Sequence, residues 1–171
     1  EFAGKTLLDW QVSVLREAGI QDIQIVCGYH AELFSGLGFQ LWPNPRWHET
    51  NMVHSLMCAR PMLEKAEQVI VTYGDIIYEP RVLDRVLNGP RAGAVAVDRK
   101  WLELWQMRSE NPMADAESLR MDSENNIIEI GRKEPDESVI EAQYIGLMRF
   151  SGTMMKALLK QYDSCRKSTI G

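Results

Sequence analysis

Between Gln68 and Glu79 the chain reads QVIVTYGDIIYE, and its core of Val69, Ile70, Val71 and Thr72 limits the possible folds more than any other stretch. An unbroken apolar, β-branched run fits a strand covered on both faces, as in a mostly parallel sheet, whereas a strand with one wet face alternates. In open α/β sheets the ligand crevice lies outside the carboxyl ends of such strands. That end carries Tyr73, Gly74 and Asp75. Glycine lets a backbone or phosphate approach closely, and Mg²⁺ is usually held by one or two carboxylates together with substrate phosphates. Taken alone, Gly-Asp also reads as a simple turn.

The segments around this run predict the alternation that such a sheet needs. TLLDWQVSVLREA, from Thr6 to Ala18, places Leu7, Leu8, Trp10, Val14 and Leu15 on one broad helical face, with Thr6 as N-cap and Gly19 just past the end. Ile23, Ile25 and Val26 follow as a strand. Helix then strand is half of a βαβ unit, so its first strand is expected ahead of residue 1. A helical turn from Ala31 to Phe34 leads into a second strand at Phe39, Leu41 and Trp42. Pro43 and Pro45 break it, and NPRWHETN runs into a helix over about 51–62, capped by Thr50 or Asn51. Backbone N–H groups at that helix start favour anions.

Beyond the central strand, Pro80 opens a helix, PRVLDRVL, that turns Val82, Leu83, Val86 and Leu87 inward and ends at Gly89 and Pro90. Ala92 to Val97 predicts the next buried strand, finishing in Asp98, a second carboxylate at the edge that carries Asp75. Helix and strand alternating in this way read as a doubly wound α/β sheet. The second half changes character. Trp101, Leu104, Trp105 and Arg108 recur at helical spacing, and residues 117–121 and 127–130 predict a hairpin across DSENN. A strand over 143–150 and a helix over about 153–162 follow. The hairpin is an antiparallel excursion of the kind that builds one wall of a substrate pocket.

At 171 residues the chain has the length of a single domain, taken here as 1–171, and it shows no repeat or linker. The net charge of −5 argues against a nucleic-acid surface, which needs clustered Lys and Arg. No apolar run approaches the roughly 20 residues needed to span a bilayer, and the start lacks a signal-peptide pattern, so no membrane partner and a cytoplasmic location are expected. Cys27, Cys58 and Cys165 are odd in number and far apart, and read as reduced thiols. Cys27-x-x-His30, His48 and His54 lack the second ligand pair of a structural zinc site.

Four segments in order carry a family resemblance. GKTLLDWQVSVLREAGIQDIQIVCGY resembles the part of sugar-phosphate and phosphocholine-type nucleotidyltransferases that follows their glycine-rich nucleotide loop. NPRWHETNMVHSL resembles their base-side helix, and TYGDIIYE their metal-binding strand end. DAESLRMDSENNIIEIGRKEP with QYIGLMRFS resembles their acceptor-side hairpin and strand. Among these enzymes the chain is most similar to the cytidylyltransferases acting on phosphocholine or aminoethylphosphonate.

The resemblance implies a Rossmann-like, mostly parallel sheet of nucleotidyltransferase type with an antiparallel acceptor-side insertion. It implies transfer of a nucleotidyl group, CMP from CTP, to a small phosphorylated or phosphonate acceptor, with Mg²⁺ as cofactor and pyrophosphate released. Asp75 would be the catalytic and metal-binding acid. Asn51 and Ser55 would read the base, and Tyr73 and Gly74 would line the nucleoside. Arg108, Arg132 and Lys133 would meet the acceptor's phosphate. Tyr144, with Trp101 or Trp105, would face a cationic head group, and Asp115 or Glu117 would pair with its charge. Tryptophans at helical spacing also read as core.

The resemblance further places a glycine-rich loop before Glu1 and a second acidic metal ligand after Phe150, neither matched in this sequence. Glu1 to Gly171 alone is therefore expected to turn over CTP poorly or not at all. Two other readings stay open: a catalytically silent nucleotidyltransferase-like regulatory module, and a sugar-1-phosphate nucleotidyltransferase. A metal-dependent glycosyltransferase is disfavoured, since Ile76 and Ile77 stand where Asp-x-Asp would continue.

Overall fold

A computed structural model of the chain describes residues 2–133 and 136–168. Its helices are α1 (Leu7–Glu17), α2 (Met52–Cys58), α3 (Arg60–Leu63), α4 (Pro80–Leu87), α5 (Trp101–Arg108) and α6 (Gly152–Ser168). Its strands are β1 (Gln24–Cys27), β2 (Gln40–Pro43), β3 (Gln68–Thr72), β4 (Gly93–Asp98), β5 (Glu117–Met121), β6 (Ile127–Lys133) and β7 (Gln143–Ser151). The chain divides into two compact units. The first runs up to Ala94 and resumes at Arg149; the second is Val95–Met148.

In the first unit α1 begins in a reciprocal capping box. Thr6 Oγ1 accepts from the Asp9 amide at 3.0 Å, while the Thr6 amide donates to Asp9 Oδ2 at 3.3 Å. Each bond satisfies a donor that the first turn would leave unpaired. Gly19, at φ +84°, lets the chain turn away from the helix end. The single helix expected over 51–62 is two: Pro61 falls in the first turn of α3, and a proline mid-helix would remove one backbone bond and clash with the preceding turn.

Strands β1 and β2 pair in parallel, Ile25 opposite Leu41 and Val26 opposite Trp42. A separate sheet has the order β3-β7-β4. Mixed α/β architecture and parallel pairing thus appear as the alternation predicts, but the sheet is in two pieces. Beneath β3 the core gathers Met57, Ala59, Leu63 and Val69 with Met155 and Leu159 of α6. At Gly152 a Cβ would lie 2.5 Å from the Ala66 carbonyl oxygen, so only glycine lets α6 start this close to the turn before β3. The buried Arg149 closes α4, donating through Nε to Val86 O at 2.8 Å and through Nη2 to Gly89 O at 3.1 Å and Pro90 O at 2.5 Å.

The second unit contains the expected antiparallel hairpin, β5 with β6, in which Leu119 faces Ile130 and Arg120 faces Glu129. Its core holds Trp101, Ala116 and Ile140. Of the acceptor-side motif, Glu134 and Pro135 lie outside the described residues, as do Glu1 and the last three positions.

Candidate active site

Of the nucleotide-side candidates, Ser55, Tyr73 and Gly74 meet at one cavity in the first unit. A cavity of ≈ 1840 Å³ is lined by Tyr73, Gly74 and Asp75 at the end of β3, by Ser55 and Leu56 of α2, and by Gln11 of α1, among others. Asp75 is exposed at its lip and makes no hydrogen bond or ion pair among the described residues. An unspent carboxylate at the mouth of a cavity is free to bind a cation. Next to it, a Cβ on Gly74 would meet nothing within 4 Å, so the space beside that backbone is open to a ligand.

Two buried amides hold this arrangement, and neither was singled out from the sequence. Gln11 Nε2 donates to Tyr73 O and to Ile76 O, each at 2.8 Å, while Gln11 Oε1 accepts from Thr72 Oγ1 at 3.1 Å. The loop carrying Asp75 is pinned on both sides to α1. Asn44, 1% exposed, donates from Nδ2 to Ser55 Oγ at 2.9 Å and to Thr50 Oγ1 at 3.0 Å, and its Oδ1 accepts from the Arg46 amide. A polar residue on the apolar face of an amphipathic helix, and an asparagine fixed between two prolines, were the available signals.

Asn51 has a different first role from base reading. It is the N-cap of α2, its Oδ1 accepting from the His54 amide at 3.1 Å. Its side chain is therefore partly committed, and Ser55, which lines the cavity, is the better placed of the two. His54 Nδ1 shares a 2.6 Å hydrogen bond with the Tyr162 hydroxyl, joining α2 to α6.

The acceptor-side candidates all belong to the second unit. Lys133 Nζ meets the Asp115 carbonyl at 3.3 Å and Glu117 Oε1 at 3.8 Å, which brings these three together. Arg132 pairs with Glu129 at 3.1 Å, and the Arg108 guanidinium lies 5.6 Å from the centre of the Trp105 ring. The Tyr144 hydroxyl donates to Met148 Sδ at 3.7 Å. Each of these last three has a partner close by in the second unit. Trp101 cannot serve as an open aromatic face for a head group, because it is 3% exposed and packs edge-on against Trp105 at 5.5 Å. It is core, as its helical spacing also allowed. Asp98 turns back on its own chain, accepting from the Lys100 amide at 2.8 Å.

Among the described residues no three His, Cys, Asp or Glu side chains form a cage for a metal. Asp75 fits the other way of holding Mg²⁺, a single carboxylate sharing the ion with substrate phosphates.

The profile of the MobA-like NTP transferase domain matches residues 1–124. The chain belongs to that family. Within it, the chain is 33% identical over 172 aligned positions to the CTP:phosphoglutamine cytidylyltransferase of Campylobacter jejuni, covering 95% of this chain and 68% of that protein. It is also 30% identical over 105 positions to the CMP-5'-(3-aminopropyl)phosphonate synthase of Streptomyces rubellomurinus, covering 57% of this chain and 16% of that protein. In structure it is similar to the inositol-1-phosphate CTP transferase from T. maritima, with a TM-score of 0.65 at 16% identity, over 91% of this chain and 62% of that one. That likeness establishes the fold. The chain spans about two thirds of the length of the Campylobacter and T. maritima proteins. Among the described residues no helix is long and apolar enough to cross a membrane.

Proposed function

We propose that this MobA-like domain takes part in transferring the cytidylyl group of CTP to a small acceptor bearing a phosphate or phosphonate, with release of pyrophosphate. The observation that carries the reading is the unpaired Asp75 at the lip of the cavity, beside Tyr73, Gly74 and Ser55. The names of the Campylobacter and Streptomyces relatives support CTP as donor and a phosphoryl or phosphonyl group as acceptor.

In the proposed reaction an acceptor oxygen attacks the α-phosphorus of CTP in line and the β,γ-pyrophosphate leaves. Such a transfer needs positioning and charge neutralisation more than covalent chemistry from the protein. Mg²⁺, when bound, neutralises phosphate charge. Asp75 would hold that ion and so orient the α-phosphate. Gln11 keeps Asp75 in place through the Tyr73 and Ile76 carbonyls. Ser55, fixed by Asn44, would present its hydroxyl to the base, with Asn51 contributing its amide nitrogen. On the acceptor side, Arg108, Arg132 and Lys133 would supply positive charge, and Asp115, Glu117 and Tyr144 would meet a cationic end of the acceptor.

The test is pyrophosphate release by the full-length protein with each NTP and a panel of phosphoglutamine, aminopropylphosphonate, phosphocholine and sugar 1-phosphates. CTP with a phosphoryl or phosphonyl acceptor is the expected pair. Preference for another nucleotide, or nucleotide binding without turnover on any acceptor, would replace this reading with a different transferase or a silent binding module.

A further inference from the structure

Tyr78 lies near the end of the loop that runs from β3 to α4, beyond Asp75 and just before Pro80 opens the helix. It is 7% exposed, and its hydroxyl oxygen is sealed from solvent with no hydrogen-bond partner among the described residues. Buried tyrosines usually find a partner for that hydroxyl, because a buried polar group left unsatisfied is costly. A ring needed only to fill space would serve better as phenylalanine. The hydroxyl therefore calls for a role that packing does not supply, and the Gln11 contacts that hold the loop do not use it.

Its surroundings show what that role requires. Burial pushes the Tyr78 hydroxyl's pKa up, and the Thr72 hydroxyl beside it draws the value part of the way back. Thr72 Oγ1 directs its proton toward Gln11 Oε1 at 3.1 Å, with the Tyr73 carbonyl at 3.4 Å as the weaker acceptor. A hydroxyl has one proton to give and two lone pairs to receive with, so Thr72 can still accept. The Tyr78 and Thr72 oxygens are neighbours that stop short of bonding geometry. A small inward shift of the loop end would complete a chain: Tyr78 O–H to Thr72 Oγ1, Thr72 O–H to Gln11 Oε1, and Gln11 Nε2 to the carbonyls of Tyr73 and Ile76. The loop has room for it. The amides of Gly74, Asp75, Ile77 and Tyr78 have no hydrogen-bond partner among the described residues, and a Cβ on Gly74 would meet nothing within 4 Å.

We propose that Tyr78 is a positioning residue for Asp75, its hydroxyl closing onto Thr72 when the loop engages a ligand. In the free protein the hydroxyl waits unbonded, and the end of the loop is not held in its working position. When Asp75 engages its ligand the loop end settles, the orphaned donor is satisfied, and the chain from Tyr78 to Gln11 grips the segment that carries the acid from both sides. A ligand shifts such an equilibrium only through interactions that differ between the two states. This bond, absent in one and present in the other, adds to that difference. Tyr78 itself touches neither nucleotide nor metal; it acts through Thr72 and Gln11. The inference rests on the reading of Asp75 as the acid that meets a metal-bound nucleotide, and it names what fixes that acid once the ligand arrives.

Tyr78→Phe in the full-length protein, read without and with Mg²⁺–CTP, separates this role from packing. Without ligand the urea midpoint should stay level or rise, because phenylalanine keeps the ring and removes an unsatisfied hydroxyl. With Mg²⁺–CTP, calorimetry should find binding weaker by about three- to tenfold, the worth of one hydrogen bond. Hydrogen exchange at residues 74–78 should slow less on binding than it does in the parent. Thr72→Val removes the acceptor, so adding Tyr78→Phe to it should change the affinity by less than about twofold. A lower urea midpoint with unchanged affinity, an unchanged affinity by itself, or an equal loss in the Thr72→Val background would each overturn the proposal. A parent protein that binds no Mg²⁺–nucleotide at all would sink the reading of Asp75, and this inference with it.

Discussion

Gln11 Nε2 lies 2.8 Å from the carbonyl oxygen of Tyr73, two residues before Asp75 in the loop that α1 holds. The same nitrogen also serves Ile76, so one side chain brackets the acid. Gln11→Leu leaves two carbonyls and the Thr72 hydroxyl without this partner, and an unsatisfied buried group costs about 1–3 kcal/mol. Urea unfolding should show a loss of that order, and pyrophosphate release should fall with it. Gln11→Glu keeps the shape but cannot donate to either carbonyl, so it should not restore activity.

Asp75→Asn separates chemistry from folding. Because Asp75 is exposed and forms no bond among the described residues, its replacement should change stability by no more than about 0.5 kcal/mol. Turnover by the full-length enzyme should drop on the order of 10²–10³-fold, the usual effect of deleting one electrostatic contact to the reacting phosphates. Chelating the divalent cation should silence the parent enzyme to a similar degree. Retained turnover in Asp75→Asn would remove the acid from the mechanism.

The strands and helices were legible because short apolar runs, proline starts and a Thr6 cap each impose a local geometry. Pro80 opening α4 and the DSENN turn between β5 and β6 are cases where residue type alone decides. Pro61 was different: it sits where a helix over 51–62 looks continuous by apolar spacing, and its missing N–H divides the helix in two. Around the candidate site, Asp75 was singled out by its place at a strand end and Ser55 by the family resemblance, and both line the cavity. Gln11 and Asn44 could not be read in this way, because their roles depend on carbonyls and hydroxyls that only tertiary folding brings within reach. Nor does spacing reveal that Trp101 is buried while Trp105 carries Arg108 over its ring.

Gly152 tests how tightly α6 is docked. A Cβ there would meet Ala66 O at 2.5 Å and Glu67 O at 3.2 Å, both backbone atoms that cannot swing aside. Gly152→Ala should therefore destabilise by about 1–3 kcal/mol, as overpacking does, even though alanine is the better helix former. Thermal unfolding should show the loss, while Thr153→Ala, one exposed residue further on, should change little.

Arg149 is a buried guanidinium that donates to three carbonyls at the end of α4 and the turn after it. Cations are favoured where a helix leaves its last carbonyls unpaired. Arg149→Met fills similar space but strands those oxygens, and the expected loss is about 2–4 kcal/mol by urea unfolding. Arg149→Lys should recover only part of it, because a single ammonium cannot reproduce the planar fork.

The three thiols should separate by reactivity, since Cys27 is buried, Cys58 half-buried and Cys165 exposed. Burial pushes the Cys27 thiol's pKa up, which disfavours the thiolate that alkylating reagents attack. Cys58 Sγ additionally donates to the His54 carbonyl at 3.6 Å. Mass spectrometry after iodoacetamide at mildly alkaline pH should find Cys165 modified first and Cys27 last, with Cys27 reacting only as fast as the fold opens. The folded state holds the Cys27 proton more tightly than the unfolded chain does. Its contribution to stability is thus complete below the unfolded thiol's pKa and is lost as pH climbs through the higher folded value. Urea midpoints measured across that alkaline range should fall, and Cys27→Ala should flatten the slope. Early labelling of Cys27 under native conditions would mean that its pocket beside β2 opens without global unfolding.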